Sequence, residues 1–269
     1  MERSAEQDAR ECFDKLSWLS ASLPFASGYT VPRPLALFES SVAMETAPGL
    51  RLDRVFTQGS KRDRTAGFYA AGAWLAALSR VTPPTVPARE LFAAEAASLS
   101  QVLDGIAGFA PDRAVQISRW RELVLRLAAR AEAKLAATTP VWCHGDFIAI
   151  NIYFRFPGPL TVIDVDGARP GFWPRDLASL RYDLLKQRFT SLTGLRRASA
   201  CFRAVVEGRG LTPTDLQNDE FRFYWGRELL GNLHNLLRTS AQTKAGIKNR
   251  YMTMVTERMI AGLMPEKRG

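Results

Sequence analysis

The chain has 269 residues, 46% of them hydrophobic and 23% charged, an ordinary balance for a folded protein with a sizeable core. Lysine and arginine outnumber aspartate and glutamate 36 to 27, giving a net charge of +9. No stretch approaches the roughly 20 uncharged apolar residues of a membrane span, and the polar start MERSAEQDAR carries no apolar signal core, so a cytoplasmic enzyme without a membrane partner is expected.

The basic residues are spread out, with only small clusters at Lys61-Arg62, Arg196-Arg197 and Lys267-Arg268. No helix-turn-helix or zinc-finger spacing accompanies them, which argues against nucleic acid as a partner. Cys12, Cys143 and Cys201 are scattered and odd in number, as in a reducing compartment, and no pair has metal-ligand spacing. Cys143 reads as a small apolar core residue.

In chain order, residues 2 to 20 read as an amphipathic helix, with Ala9, Phe13, Leu16 and Leu19 at helical spacing. Val31 to Phe38 and Ser41 to Glu45 read as strands. Thr46-Ala47-Pro48-Gly49 reads as a turn, and residues 50 to 64 as a loop or short helix. Helices are expected at 66 to 78, 89 to 107 and 114 to 137, with breaks at Pro83-Pro84 and Thr138 to Pro140.

The informative stretch is 141 to 178, VWCHGDFIAINIYFRFPGPLTVIDVDGARPGFWPRDLA. An apolar lead-in reaches His144-Gly145-Asp146, and Asn151 follows the aspartate by five. Ile152 to Phe156 and Leu160 to Ile163 are β-rich and flank a Pro-Gly-Pro turn, so a hairpin delivers Asp164-Val165-Asp166 beside the loop. Further helices are expected at 180 to 189, 196 to 209, 221 to 237 and 250 to 263. Thr212 to Asp215 is a helix start signal. His234 lies on the 221 to 237 helix and reads as packed or surface. An isolated aspartate most often caps a turn. An ordered set of this kind suits phosphoryl transfer, in which one carboxylate orients the acceptor hydroxyl and Mg²⁺ is held by one or two others.

HGDxxxxN, then VIDxD, then Gly171 and Asp176-Leu177-Ala178, resembles the aminoglycoside phosphotransferase and choline kinase-type family of small-molecule kinases. The likeness extends over about residues 5 to 180 and is sharp only over 141 to 178. It implies a protein-kinase-like α/β fold of two lobes, with residues 1–48 a truncated N-lobe and hinge and 49–269 a mostly helical C-lobe. It implies ATP and Mg²⁺ as cofactors and a small hydroxyl-bearing molecule as substrate. Asp146 would be the catalytic base, and Asn151 and Asp164 would hold the metal with Asp166 as a weaker candidate. His144 and Asp176 would support the loop. Adenine would meet the Glu45 carbonyl and Ala47 amide, with Met44 lining its pocket, and Glu11 is the nearest match to the helix glutamate that pairs with a lysine.

A kinase-like N-lobe opens with a phosphate-covering hairpin and a lysine strand, whereas this chain opens at the helix. Either its start is truncated or the clamp is absent. That keeps a second reading open, a catalytically inert, pseudokinase-like binding module. A third is a metal-dependent phosphohydrolase built on His144, Asp146, Asp164 and Asp166, which leaves Asn151 and the Asp-Leu-Ala segment unexplained.

Overall fold

The computed structural model describes residues 5–23, 28–82, 85–187, 194–242 and 246–263. In chain order the elements are α1 (Ala5–Ser22), β1 (Tyr29–Thr30), β2 (Pro34–Leu37), β3 (Val42–Met44), β4 (Leu50–Arg51), α2 (Leu52–Gln58), α3 (Lys61–Leu78), α4 (Ala88–Phe109), α5 (Ala114–Ala136), β5 (Val141–Cys143), β6 (Ile152–Phe154), β7 (Leu160–Val162), β8 (Arg169–Gly171), α6 (Pro174–Gln187), α7 (Gly194–Gly208), α8 (Asp219–Gln242) and α9 (Ile247–Ala261). They form two compact units, one of residues 1–84 and 141–213, the other of residues 85–140 and 214–269.

The first unit holds every strand among the described residues. Its main sheet has the order β1-β7-β6-β4, with β1 parallel to β7 and the other neighbours antiparallel. The expected hairpin is β6–β7, with Tyr153 opposite Thr161. Leu160 and Val162 are buried on one face, and Thr161 is buried on the other, where its hydroxyl lies 3.0 Å from that of Thr30. Two further antiparallel pairs flank this sheet in sequence, β2–β3 and β5–β8. In the second of these, Trp142 faces Pro170, so the strand before His144 is paired with the one after Asp166.

Helix α3 starts earlier than its apolar pattern. Ser60 caps it by accepting the Asp63 amide, and the Asp63 carboxylate accepts the Ser60 amide in return. Beyond that turn α3 is buried along Phe68, Ala71, Trp74, Leu75 and Leu78. It packs on α7 so closely that a Cβ at Gly72 would run into the Val205 carbonyl. Helix α6 begins at Pro174, six residues before its expected start, with proline in the first turn where its missing N–H costs nothing. Phe189, the expected end of that helix, lies outside the described residues.

The second unit is helical: α4, α5 and α8 pack on one another, and α9 packs on α8. Phe221, Tyr224, Leu229 and Leu233 of α8 are buried, so the aromatic stripe is core. His234 is half-buried against the Phe109 ring, at 5.5 Å between centroids. Arg227 meets the buried Glu95 carboxylate at 2.7 Å. Among the described residues, no helix is long and apolar enough to cross a membrane.

Candidate active site

The 144–151 loop owes its shape to groups behind it. Asp176, the third residue of α6, is buried, and its carboxylate accepts the amides of His144 at 2.7 Å and Gly145 at 2.9 Å. Gly145 has φ +89, and a Cβ there would strike the Gly167 carbonyl oxygen, so the turn needs glycine. His144 is fully buried. Its Nδ1 accepts the Asp146 amide at 3.3 Å, which leaves the proton on Nε2 to be donated to the Ile163 carbonyl at 2.9 Å. Trp74 closes the back of the loop, with its ring stacked on Phe147 at 5.5 Å and edge-on to the His144 ring at 6.0 Å.

With both nitrogens engaged, His144 has no lone pair to offer a metal. That removes it from the ligand set a metal-dependent phosphohydrolase would need. Among the described residues no group of three or more His, Cys, Asp or Glu side chains converges as a metal cluster.

The front of the loop gathers three side chains. Asn151 is buried, while Asp146 and Asp164 are exposed on either side of it. The Asn151 Nδ2 donates to the Asp146 carbonyl at 3.0 Å, to Asp146 Oδ2 at 3.2 Å and to Asp164 Oδ2 at 3.4 Å. The amide nitrogen therefore draws both carboxylates together, and the amide oxygen is left as the acceptor of that side chain. Asp164 is the one non-glycine residue with positive φ among those described, at 63°. An aspartate tolerates that left-handed conformation better than bulkier residues, and such backbone clusters at functional sites. The Asp164 carboxylate and Asn151 Oδ1 are hard oxygen donors of the kind that suits Mg²⁺.

Asp166, also exposed, turns toward α1. Burial, together with the neighbouring Asp166 carboxylate, pushes the Cys12 thiol of that helix up to about 12. Met44, Glu45 and Ala47 lie on β3 and the segment after it. There the Glu45 carboxylate is paired with Arg33 at 2.8 Å, and the Glu45 amide donates to the Arg33 carbonyl at 3.0 Å. A cavity of about 1010 Å³ borders this segment, with Thr30, Arg33, Glu45, Thr46 and Thr161 in its wall. Cys143 is buried as expected.

One supporting residue is absent from the motif. Asp183, buried on α6, accepts the Ala149 amide at 3.0 Å, holding the loop just before Asn151. It lies seven residues after Asp176, two helical turns along the same face. A helix register begun at Pro174 would have pointed to it.

The strand pairs, the loop and the aspartate after the hairpin together make a protein-kinase-like phosphotransferase. The family model described as the phosphotransferase enzyme family matches residues 2–202, and the chain belongs to that family. It is a small-molecule phosphotransferase acting on hydroxyl groups. No curated protein sequence matches the chain.

Solved structures share its fold. A glucosamine kinase in complex with glucosamine, ADP and inorganic phosphate is similar with TM-score 0.61 and 18% identity, over 93% of this chain and 68% of that one. The streptomycin–ATP–APH(2")-IIa ternary complex is similar with TM-score 0.59 and 15% identity, over 97% and 84%. APH(3'')-Id from Streptomyces rimosus, in complex with ADP and streptomycin, gives TM-score 0.56 and 19% identity, over 84% and 83%.

Proposed function

We propose that the protein transfers a phosphoryl group from ATP to a hydroxyl of a small molecule, with Asp146 as the base. The observation that carries this reading is the convergence of the Asp146 and Asp164 carboxylates on the Asn151 amide nitrogen. It sets an exposed carboxylate for an acceptor hydroxyl beside a second one for the nucleotide's metal. Asp146 orients the hydroxyl and takes its proton at Oδ. Asn151 and Asp164 hold Mg²⁺, and Asp166, turned to α1, contributes less. Bound there, Mg²⁺ supplies charge neutralisation for the nucleotide's phosphates. His144, Asp176 and Asp183 keep the loop in place without touching the reactants.

Adenine is held by backbone groups, the Glu45 carbonyl and the Ala47 amide, beside Met44. The cavity of about 1010 Å³ supports this assignment, since Glu45, Thr46 and Pro48 stand in its wall. The nucleotides in the similar structures support ATP as donor. Their glucosamine and streptomycin make hydroxylated amino sugars the first acceptors to screen.

Asp146→Asn tests the reading. Loss of the general base lowers kcat by about 10²- to 10⁴-fold, while the thermal shift on adding MgATP stays as in the unaltered protein. An unchanged rate in that variant would overturn it.

A further inference from the structure

Helix α1 grips the catalytic stretch with side chains on one face. Lys15 follows Glu11 by four residues and precedes Trp18 by three, so these three stand along one face of the helix, with Cys12 three residues before Lys15 at its edge. Lys15 Nζ lies 2.9 Å from Glu11 Oε1 and donates to the Asp166 carbonyl at 2.7 Å. Trp18 packs on Trp142, two residues before His144, at 4.6 Å between ring centroids. One helix thereby touches both the strand entering the loop and the turn leaving the hairpin.

The Lys15 bond falls at a point that needs it. The Asp166 carbonyl belongs to the single turn 165–167, which follows directly from the left-handed Asp164. That backbone is strained for an aspartate and persists only where its surroundings fix it. Within the turn, the Ala168 amide closes on the Val165 carbonyl at 2.8 Å. The ammonium of Lys15 adds a charge-assisted bond from outside, and Glu11 keeps that ammonium in place.

We propose that Lys15 is a positioning residue for the metal site: braced by Glu11, it fixes the 164–167 turn so that the Asp164 carboxylate stays aimed at Asn151. A kinase template brings its lysine from a strand to pair with a helix glutamate. Here lysine and glutamate are both on α1, one turn apart, and the lysine acts on the metal-bearing turn. The placement of α1 then sets how well the site holds its ion. The proposal rests on the assignment of Asp164 as a metal ligand.

The test titrates Mg²⁺ against ATP binding, read by thermal shift and calorimetry without acceptor, in Lys15→Met, Lys15→Arg and Asp164→Asn. Lys15→Met raises the Mg²⁺ concentration for half-maximal binding by about 10-fold or more, as loss of an outer partner of a metal ligand does. Lys15→Arg, which keeps the charge and the donor, restores most of it. In the metal-free protein, Lys15→Met also speeds amide exchange at residues 165–168 while Tm moves little, which a residue of general structural importance would not do. If Asp164→Asn shifts the Mg²⁺ dependence and Lys15→Met leaves both it and the exchange unchanged, the role of Lys15 is overturned and the metal assignment stands. If neither variant shifts it, the metal assignment falls, and the proposal with it.

Discussion

The loop from His144 to Asn151 is held by polar groups that lie inside. His144 is 0% exposed, Asn151 6% and the supporting Asp176 3%, and each has a partner at hydrogen-bond distance. In the β2–β3 hairpin, apolar groups are outside: Leu35 is 59% exposed and Phe38 58%. The loop lacks regular backbone pairing, so buried side chains supply its hydrogen bonds, and each is hard to replace. The hairpin satisfies its own backbone across the two strands and leaves its side chains little to do. Sensitivity to substitution should therefore follow buried polar partners rather than apolar content.

The sharpest way to break that comparison is Asp176→Ala. It leaves the buried His144 amide and the part-buried Gly145 amide without their acceptor, at about 1–3 kcal/mol each. The expected loss is about 3–5 kcal/mol, which lowers Tm by about 10 °C for a chain of this size. Thermal unfolding of the variant checks it. A fall of only about 2 °C would show that the loop is held by something other than Asp176.

Gly145→Ala probes the same loop through its backbone. Alanine must take φ near +89 with its Cβ against the Gly167 carbonyl. A strained position of this kind costs about 1–3 kcal/mol. The expected result is a urea midpoint lowered accordingly, with a slope unchanged from the parent. Equal stability would mean that the 144–151 loop and the 165–167 turn separate more readily than their contact implies.

What could be read in the sequence divides along the same line. His144, Asp146, Asn151, Asp164 and Asp176 fall within one 33-residue window of sequence, and the chemistry of phosphoryl transfer ties their types to their spacing. The β6–β7 hairpin was legible because its turn is local. Pairings set only in three dimensions were not. The two residues of β1 pair with β7, about 130 positions later, and carry no periodicity of their own. Asp183 was missed because its partner is a backbone amide that could belong to any residue. The start of α3 was legible in principle, since Ser60 and Asp63 have capping-box spacing, but the polar run around them reads as loop. The helices of the second unit show their apolar faces in sequence, yet apolar spacing says only that a face is buried and nothing of which helix covers it.

The hairpin gives the smallest expected effect and the most direct control. Leu35→Ser removes an apolar side chain that already lies in water, so little transfer free energy is lost, and serine keeps a strand-compatible backbone. Stability should change by less than about 0.5 kcal/mol, as for surface positions generally. The Arg33–Glu45 pair and the β2–β3 register do not involve the Leu35 side chain, so they should persist. Calorimetric unfolding of Leu35→Ser beside Asp176→Ala puts the two regions on one scale. A loss above about 1 kcal/mol at Leu35 would mean that this apolar surface is covered in solution. The hairpin would then owe its stability to burial, and the contrast with the loop would be one of degree.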